Sequence, residues 1–333
     1  MCRKREKKFI RPGPLDPITS YIRFGIDNLT ISNEFPLIIV DYGSSHGKAS
    51  IRLIKSMLEY IHKSKNLHVP TIVIHNDLPE NDWQEFFKYL IEDKSYPGLA
   101  SGRSFFDQCL PSNTLVLGVS TASLHYLSQI PCPIQNHCYI QFGDTTEYEL
   151  FRAQAELDWH QFIENRSREL RTNGILILSV PSRHPTKQMG FDFYFDLIFR
   201  CARSSSIFTE QELLDFTVPF YLRSFDECID ETLFTNCSLQ LIEKNFTTLN
   251  STVFDLYHQG NLTRNDLAKS ITLLMRPGTD SALKKSLKLH GRALVEIDRL
   301  LKTFWTIVEE QIGEEISDTP VQTYATYLIL KKI

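Results

Sequence analysis

The sequence lacks any apolar run near the ~20 residues that a membrane-spanning helix needs, so we expect no membrane segment. It also lacks an excess of positive charge. The formal net charge is −4, and basic residues are dense only at the start of the chain. This charge balance excludes a positive electrostatic field that would draw the whole protein to nucleic acid. The basic cluster at the start of the chain is interpreted as a solvated tail.

Cysteine motifs are missing as well. The seven cysteines are an odd number and form no Cys-x-x-Cys, and the basic start is not followed by the apolar core of a secretory signal. Reduced thiols and a cytoplasmic location are therefore expected. Cys132, His137 and Cys138 lie close together, but their spacing fits no common zinc pattern, so we expect no metal site.

The most informative stretch is residues 37–47. An unbroken apolar run ends at Asp41, and Gly43 and Gly47 follow it. Such a run suits a strand buried on both faces of a parallel sheet, and the apolar spacing of residues 49–61 predicts a helix directly after the turn. The glycines allow a ligand to approach the backbone closely, and the start of the helix offers free N–H groups.

The turn between this strand and helix matches neither of the common phosphate motifs. The Gly-x-Gly-x-x-Gly order is missing, and Ala49 stands where a P-loop needs Ser or Thr. An acidic residue before a single Gly-x-x-x-Gly suits a ligand with a cationic amine and no phosphate, such as S-adenosylmethionine. An ordinary strand-to-helix turn explains the same residues equally well.

A second β-branched, apolar run over residues 71–74 becomes polar at Asn76 and Asp77. In doubly wound sheets an acidic residue at the end of the second strand usually binds ribose hydroxyls. Asp77 is placed for that role. Its position next to the end of the Asp41 strand favours this role over a turn or helix-capping role.

Strands alternate with helices over residues 37–180, which predicts an α/β fold with an open, mainly parallel sheet. Aromatic residues become frequent after residue 181 and indicate a helical cap lobe suited to an apolar ligand. Residues 123–131 are predicted as a short helix. The predicted units are an N-terminal arm or lid over 1–30, a ligand-binding domain over 31–185, a cap over 186–236, and further strands and cap helices over 237–333.

Two sequence motifs are distinctive: Asn-Asp-Leu-Pro at 76–79 and Ser-Leu-His-Tyr-Leu-Ser-Gln-Ile-Pro at 123–131. Together with Ile-Val-Asp-Tyr-Gly-Ser-Ser-His-Gly at 39–47, Arg-Ser-Phe-Phe at 103–106 and the helix before Gly174, the chain resembles the plant-type S-adenosylmethionine-dependent carboxyl methyltransferases known as SABATH. The resemblance implies a Rossmann-like class I methyltransferase sheet with an inserted aromatic-rich cap.

The resemblance also implies S-adenosylmethionine as the cofactor. Asp41 would take the amino group of its methionine moiety, Asp77 would hold its ribose, and Leu78 would pack on its adenine. The cofactor residues predicted in this way are Tyr21, Asp41, Gly43, Gly47, Asp77, Leu78, Ser104, Phe105 and Ser120. The predicted acceptor residues are Asn28, His125, Tyr126, Phe220 and Tyr221.

Three positions depart from the family pattern. In the segment matched to the family arm, Gly25 replaces a serine, and Asn28 replaces a glutamine that helps to hold the substrate carboxylate. Tyr126 replaces a tryptophan but keeps a ring. These departures indicate that recognition of the methyl acceptor has diverged.

Methyl transfer to a carboxylate needs no general base, because the acceptor is already ionised at neutral pH. We therefore expect no catalytic dyad, and the enzyme's contribution is alignment and exclusion of water. A phenol or amine acceptor would need a base, for which His125 is the candidate. The prediction is a homodimeric methyltransferase for a small-molecule acid. The alternatives are a methyltransferase for a phenolic oxygen or a nitrogen, and a catalytically silent binding protein of the same fold.

Overall fold

The computed structural model describes residues 15–30, 36–65, 69–186, 191–318 and 322–333. The strands are β1 (Leu37–Tyr42), β2 (Thr71–Asp77), β3 (Gly98–Gly102), β4 (Leu115–Thr121), β5 (Leu170–Ser182), β6 (Leu239–Leu249) and β7 (Thr323–Lys332). The helices are α1 (Leu15–Asp27), α2 (Lys48–Lys65), α3 (Trp83–Glu92), α4 (Thr145–Glu169), α5 (Asp192–Ser204), α6 (Glu210–Leu214), α7 (Phe225–Cys228), α8 (Glu231–Asn236), α9 (Thr252–His258), α10 (Arg264–Leu289) and α11 (Leu294–Glu315).

The strands form one seven-stranded sheet in the order β3-β2-β1-β4-β5-β7-β6. The first five strands run parallel, whereas β7 lies antiparallel between β5 and β6. The carboxyl ends of β1, β2 and β4 therefore meet at one edge of the sheet. The order reverses between β1 and β4, which is where ligands bind in open α/β sheets. The predicted α/β fold is confirmed.

Each face of the sheet carries its own helices. Alternation along β1 sends Ile39 into a core with α1 and α2, and sends Val40 and Tyr42 into a core with α4 on the opposite face. A third core forms the cap lobe from α5, α9, α10, α11 and the segment around residues 127–140. Residues 225–236, which the sequence assigns to the cap, pack on the sheet instead through Cys228, Leu233 and Phe234.

The predicted N-terminal arm has a different place. Residues 1–14 lie outside the described residues, and α1 packs flat on the sheet. Ile18, Ile22 and Ile26 recur every four residues and are buried in the same core as α2. This spacing gives α1 a continuous apolar face, so the helix belongs to the core of the domain rather than to a lid.

The prediction of a short helix over residues 123–131 is wrong. This segment consists of turns and bends and forms an isolated antiparallel bridge between Tyr126 and Phe220. The backbone N–H of Leu127 donates to the carbonyl of Pro219, and the N–H of Tyr221 donates to the carbonyl of His125. The N–H of Tyr126 donates to the carbonyl of Ser123 in a single turn, and beyond that turn the bonds to a distant part of the chain take the place of a helical ladder.

Candidate functional site

The turn after β1 is held by backbone bonds to β2. The N–H groups of Gly43 and Ser44 both donate to the carbonyl of Asn76, at 2.9 and 3.0 Å. Gly43 and Gly47 have φ angles of +91° and +87°, which side chains rarely adopt. α2 then begins at Lys48, with its first turn directed at the carboxyl edge of the sheet.

The space around these two glycines is closed to a side chain. A Cβ atom on Gly43 would lie 2.4 Å from the Cβ of Ser123, and one on Gly47 would lie 2.4 Å from the ring of Phe86. The ring of Phe105 lies 3.9 Å from the first of these positions. The turn therefore brings the end of β1, the segment after β4 and the loop after β3 into one place.

Asp41 is a buried carboxyl at the end of β1. Among the described residues, its Oδ1 atom has no hydrogen-bond partner. Burial is the main cause that raises the pKa of Asp41 from 3.8 to about 7, and Asp77 adds to the rise. An unpartnered carboxylate oxygen in a buried place matches a ligand that brings its own cation.

The Asp77 carboxylate is already bound to backbone. Its Oδ2 atom accepts from the N–H of Ser45 at 2.6 Å, and its Oδ1 atom accepts from the N–H of Leu78 at 2.8 Å. Burial raises the pKa of Asp77, while these two bonds oppose the rise. Asp77 thus ties the glycine turn to β2 and keeps further lone pairs for a ligand. The side chain of Leu78 is 49% exposed beside it.

The loop after β3 is fixed by Asn76, whose role the sequence did not reveal. The Asn76 side-chain amide donates to the carbonyls of Ser101 and Arg103 at 3.1 and 2.8 Å. Ser104 and Phe105 follow directly and are half-buried. An asparagine between two strand ends is a visible signal for such a link, but its partners are known only from the fold.

Ser120 has a different position from that expected for a residue facing the cofactor. It is fully buried, and its hydroxyl lies 2.9 Å from the carbonyl of Tyr42 and 2.7 Å from the Ser123 hydroxyl. Ser123 lies 3.0 Å from the same carbonyl. Ser120 therefore fastens the ends of β1 and β4 to each other.

Three rings form a cluster beyond β4. The rings of His125, Tyr126 and Phe220 have centroids 4.5 to 4.6 Å apart, and Gly278 of α10 covers them. A Cβ on Gly278 would lie 2.3 Å from the Phe220 ring. Burial and the charge of Asp77 raise the pKa of Tyr126, and its hydroxyl oxygen lies beside Gly278 of α10.

His125 and Tyr221 differ in what they offer a ligand. The Nδ1 atom of His125 has no partner among the described residues, and burial with the nearby Arg223 lowers its pKa to about 3. The Tyr221 hydroxyl donates to Glu227 at 2.9 Å, and Glu227 pairs with Arg183 at 2.7 Å. Tyr221 is buried and belongs to the core of the cap.

Arg223 is a residue of this region that sequence reasoning missed. Its buried guanidinium donates to the carbonyls of Leu124 and Ala155 and lies 5.4 Å from the Trp159 ring centre. It fixes the segment that carries His125. No sequence pattern marks this arginine, because a fully buried cation paired with carbonyls has no periodic signature.

Tyr21 and Asn28 lie at different heights on the sheet. The Tyr21 ring stacks on Tyr327 of β7, with centroids 4.3 Å apart, and Tyr327 pairs with Ser179, which is level with the last residue of β4. Tyr21 therefore lies near the carboxyl edge, over β7, and stays a predicted cofactor residue. The carbonyl of Asn28 accepts from Lys331, which pairs with Ile175 towards the amino edge. Because α1 carries Asn28 away from the carboxyl edge, we leave Asn28 out of the site.

A metal-binding cluster and a membrane-spanning helix are both absent from the part of the chain that the structure describes. No group of three or more His, Cys, Asp or Glu side chains within the described ranges is arranged to hold a metal ion. No helix in that part of the chain is long and apolar enough to cross a membrane.

These features define a Rossmann-like methyltransferase fold. The sheet is parallel with an antiparallel strand inserted near one edge, acidic residues end β1 and β2, and a glycine turn joins β1 to α2. The unpartnered Oδ1 atom of Asp41 fits the amine of such a cofactor. The chain belongs to the S-adenosylmethionine-dependent carboxyl methyltransferase family, whose model matches residues 18–332.

The chain is similar to several carboxyl methyltransferases. It is 28% identical to a farnesoic acid carboxyl-O-methyltransferase from Arabidopsis thaliana over 57% of this chain and 60% of that protein. It is 30% identical to a benzoic acid/salicylic acid carboxyl methyltransferase from Petunia hybrida over 46% of this chain and 49% of that one. The matched stretches span 54% to 61% of the length of the first relatives compared.

A solved structure shows the same fold. The structure of loganic acid methyltransferase with S-adenosylhomocysteine (SAH) covers 95% of this chain and 92% of its own, with a TM-score of 0.76 and 17% sequence identity. At this identity the likeness concerns the fold alone. It confirms the predicted Rossmann-like sheet.

Proposed function

We propose that this protein transfers a methyl group from S-adenosylmethionine to the carboxylate of a small-molecule acid. The observation that carries the proposal is the buried Asp41 carboxyl, whose Oδ1 atom lacks a partner at the end of β1. Family membership supports it, and so do the relatives, two of which are named for carboxyl methylation. The intact site also argues against a catalytically silent binding protein.

When bound, S-adenosylmethionine supplies a methyl group on a sulfonium that a nucleophile can displace in line. We assign Asp41 to its amine, Asp77 to its ribose, and Leu78, Ser104 and Phe105 to its adenine. Gly43 and Gly47 shape the turn that places these groups, through their positive φ angles and their close packing on Ser123 and Phe86. Alignment of the two reactants and exclusion of water are the chain's contribution, which is worth on the order of 7–11 kcal/mol for well-placed groups.

The acceptor is proposed to lie against His125, Tyr126 and Phe220. The cluster is apolar apart from the His125 Nδ1 atom and the Tyr126 hydroxyl. An acid would place its apolar part against the rings and its carboxylate towards the end of β1. The pKa of His125, lowered to about 3, makes this histidine a weak base for a phenol or an amine. This favours a carboxylate, which needs no base.

The test of the proposed activity is turnover of labelled S-adenosylmethionine with a panel of small carboxylic acids, phenols and amines. We expect methyl esters from one or more apolar acids. Methylation of phenols or amines alone would replace the carboxylate in the proposal. Tight SAH binding without turnover of any acceptor class would favour the silent protein.

The affinity for SAH is expected to depend on pH through Asp41. The ligand amine is cationic up to about pH 7.5 and needs an ionised carboxylate, and the pKa of Asp41 is raised to about 7. Affinity should therefore rise roughly eightfold from pH 6 to pH 7.5. The pKa values of His75 and His125 are lowered to about 4 and about 3, so neither titrates in this window.

Calorimetry with SAH at several pH values measures this dependence. The control is Asp41→Asn, which keeps the shape of the side chain and removes its titration. We expect weak, pH-independent binding by this variant. A pH profile that Asp41→Asn leaves unchanged would contradict the assignment.

Tyr126→Ala should impair use of the acceptor and leave SAH affinity nearly unchanged, because the ring faces the acceptor space. Loss of an aromatic contact of about 1.5–3 kcal/mol raises the acceptor KM tenfold or more. Phe208→Ala is the matched control, since that ring packs on Phe304 in the same lobe with centroids 5.2 Å apart. It should lower the melting temperature without changing the acceptor KM. A Tyr126→Ala variant that behaves like this control would remove Tyr126 from the pocket.

Two predictions about the whole protein stay predictions. A homodimer and a cytoplasmic location are proposed from the family resemblance and from the composition, respectively. Sedimentation that shows only a monomer would contradict the first.

A further inference from the structure

A line of buried polar side chains leads away from Asp41. On the neighbouring strand His75 pairs in register with Asp41, so the two side chains lie on the same face of the sheet. Ser50, in the first turn of α2, places its Oγ atom 2.6 Å from the Nδ1 atom of His75. The Nε2 atom of His75 lies 3.0 Å from the hydroxyl of Tyr96.

The donors in this line have one consistent direction. An ionised carboxylate only accepts, so the Ser50 hydroxyl donates to Asp41, and hydrogen bonding from Ser50 lowers the pKa of that carboxyl. Ser50 Oγ is then left to accept from a protonated Nδ1 of His75. The Nε2 atom of the neutral ring becomes an acceptor for the Tyr96 hydroxyl. Aligned donors of this kind strengthen one another.

Packing alone does not account for a histidine at position 75. The side chain is fully buried between apolar neighbours, with the Phe86 ring centre 4.9 Å away. An aliphatic side chain would fill this place without the cost of burying two ring nitrogens. Both nitrogens of His75 have a partner, and one of these partners leads to Asp41.

We propose that Ser50 and His75 are positioning residues for the cofactor amine. Ser50 engages one side of the Asp41 carboxylate and keeps it ionised, so that Oδ1 stays directed at the site. His75 holds the Ser50 hydroxyl in the donating orientation, and Tyr96 fixes the tautomer of His75. The proposal rests on the role given to Asp41 above.

The other groups around Asp41 oppose its ionisation. Asp77 raises the pKa of Asp41 by its charge, and burial raises it further. Tyr96 is held neutral, since burial and the charges of Asp41 and Asp93 raise its pKa. His46 acts on Asp77, whose pKa it lowers. Loss of the Ser50 hydrogen bond therefore leaves only influences that move the pKa of Asp41 upwards.

The experiment measures the Kd of SAH by calorimetry from pH 5.5 to 8 for wild type, Ser50→Ala and His75→Leu. The titration of the ligand's own amine is common to all three proteins. We expect the midpoint of the pH profile near 7 in wild type and about one pH unit higher in both variants, which is roughly a fivefold loss of affinity at pH 7. Ser50→Thr and His75→Asn keep a donor in place and should retain the wild-type midpoint.

A matched control separates positioning from packing. Ser286→Ala removes an equally buried hydroxyl from α10, where it donates to the carbonyl of Glu212. It should lower stability and leave the midpoint in place. Where His75→Leu does not fold, Tyr96→Phe keeps the ring and gives the same readout, with a smaller upward shift.

The outcomes distinguish this proposal from the one on which it rests. Weaker SAH binding by Ser50→Ala and His75→Leu at every pH, with an unmoved midpoint, would show a structural role and overturn the positioning role. Asp41→Asn binding SAH as well as wild type would remove the assignment of Asp41, and the positioning role with it. An upward midpoint shift in the alanine and leucine variants alone supports both.

Discussion

Replacing Asp77 with alanine is expected to weaken SAH binding roughly tenfold to a hundredfold. A hydrogen bond to a charged group is worth about 1.5–3 kcal/mol, and 1.4 kcal/mol is a factor of ten in affinity. The carboxylate would be lost both to the ribose hydroxyls and to the N–H of Ser45, which it now binds at 2.6 Å. Calorimetry at pH 7.5 measures the change.

The loss of turn support has to be separated from the loss of a ribose contact. Asn81→Ala provides the control, because the Asn81 side chain donates to the carbonyl of Ser45 at 2.8 Å and supports the same turn. We expect it to reduce SAH affinity much less than Asp77→Ala does. Equal losses in the two variants would assign Asp77 to the turn alone.

Replacing Arg166 with leucine is expected to lower the free energy of unfolding by about 3–5 kcal/mol, as breaking a buried ion pair does. Arg166 and Glu169 are fully buried and lie 2.8 Å apart. The guanidinium also lies 4.2 Å from the centre of the Tyr42 ring. Without Arg166, the charge of Glu169 would remain in the core without its cation.

This ion pair also supports the site. Arg166 donates to the carbonyls of Phe105 and Asp107, and Glu169 accepts from the backbone of Cys109 and Leu110. The pair thus fastens the loop that carries Phe105 to α4 and β1.

Denaturant unfolding of Arg166→Leu checks the size of the effect. Arg168→Leu is the control on the same helix, because its pair with Glu164 is exposed on both sides and is worth about 0–1 kcal/mol. A loss below 1 kcal/mol for Arg166→Leu would show that the buried pair does not hold the structure. SAH affinity of the folded fraction should also fall, since Phe105 loses its support.

The sheet and the two acidic strand ends were predictable because their signals are local. A β-branched run followed by Asp41, and a second followed by Asp77, predict parallel strands with polar carboxyl ends. The structure has these strands side by side, with Asp41 and His75 in register. β3 was not predicted, since Gly-Leu-Ala-Ser-Gly carries no β-branched residue and becomes a strand only through pairing with β2.

The backbone conformation on the acceptor side could not be predicted, because it is set by contacts between distant parts of the chain that a sequence pattern does not contain. The segment with His125 and Tyr126 has the spacing of a short helix, but bonds to residues 219–221 and the buried Arg223 hold it in turns and a bridge instead. The placement of Asn28 had a usable signal. The four-residue spacing of Ile18, Ile22 and Ile26 predicts a helix packed on a core, which carries Asn28 away from the carboxyl edge.

The position of β7 determines when the sheet can close during synthesis. This strand is nearly all buried between β5 and β6, yet it consists of residues 323–332. During synthesis the ribosome therefore completes β5 and β6 long before the strand that joins them exists. Both strands keep open edges that invite pairing with other chains until then. The sheet closes only once residues 323–332 are available, so a change that weakens β7 leaves an edge of β5 and an edge of β6 exposed at the same time.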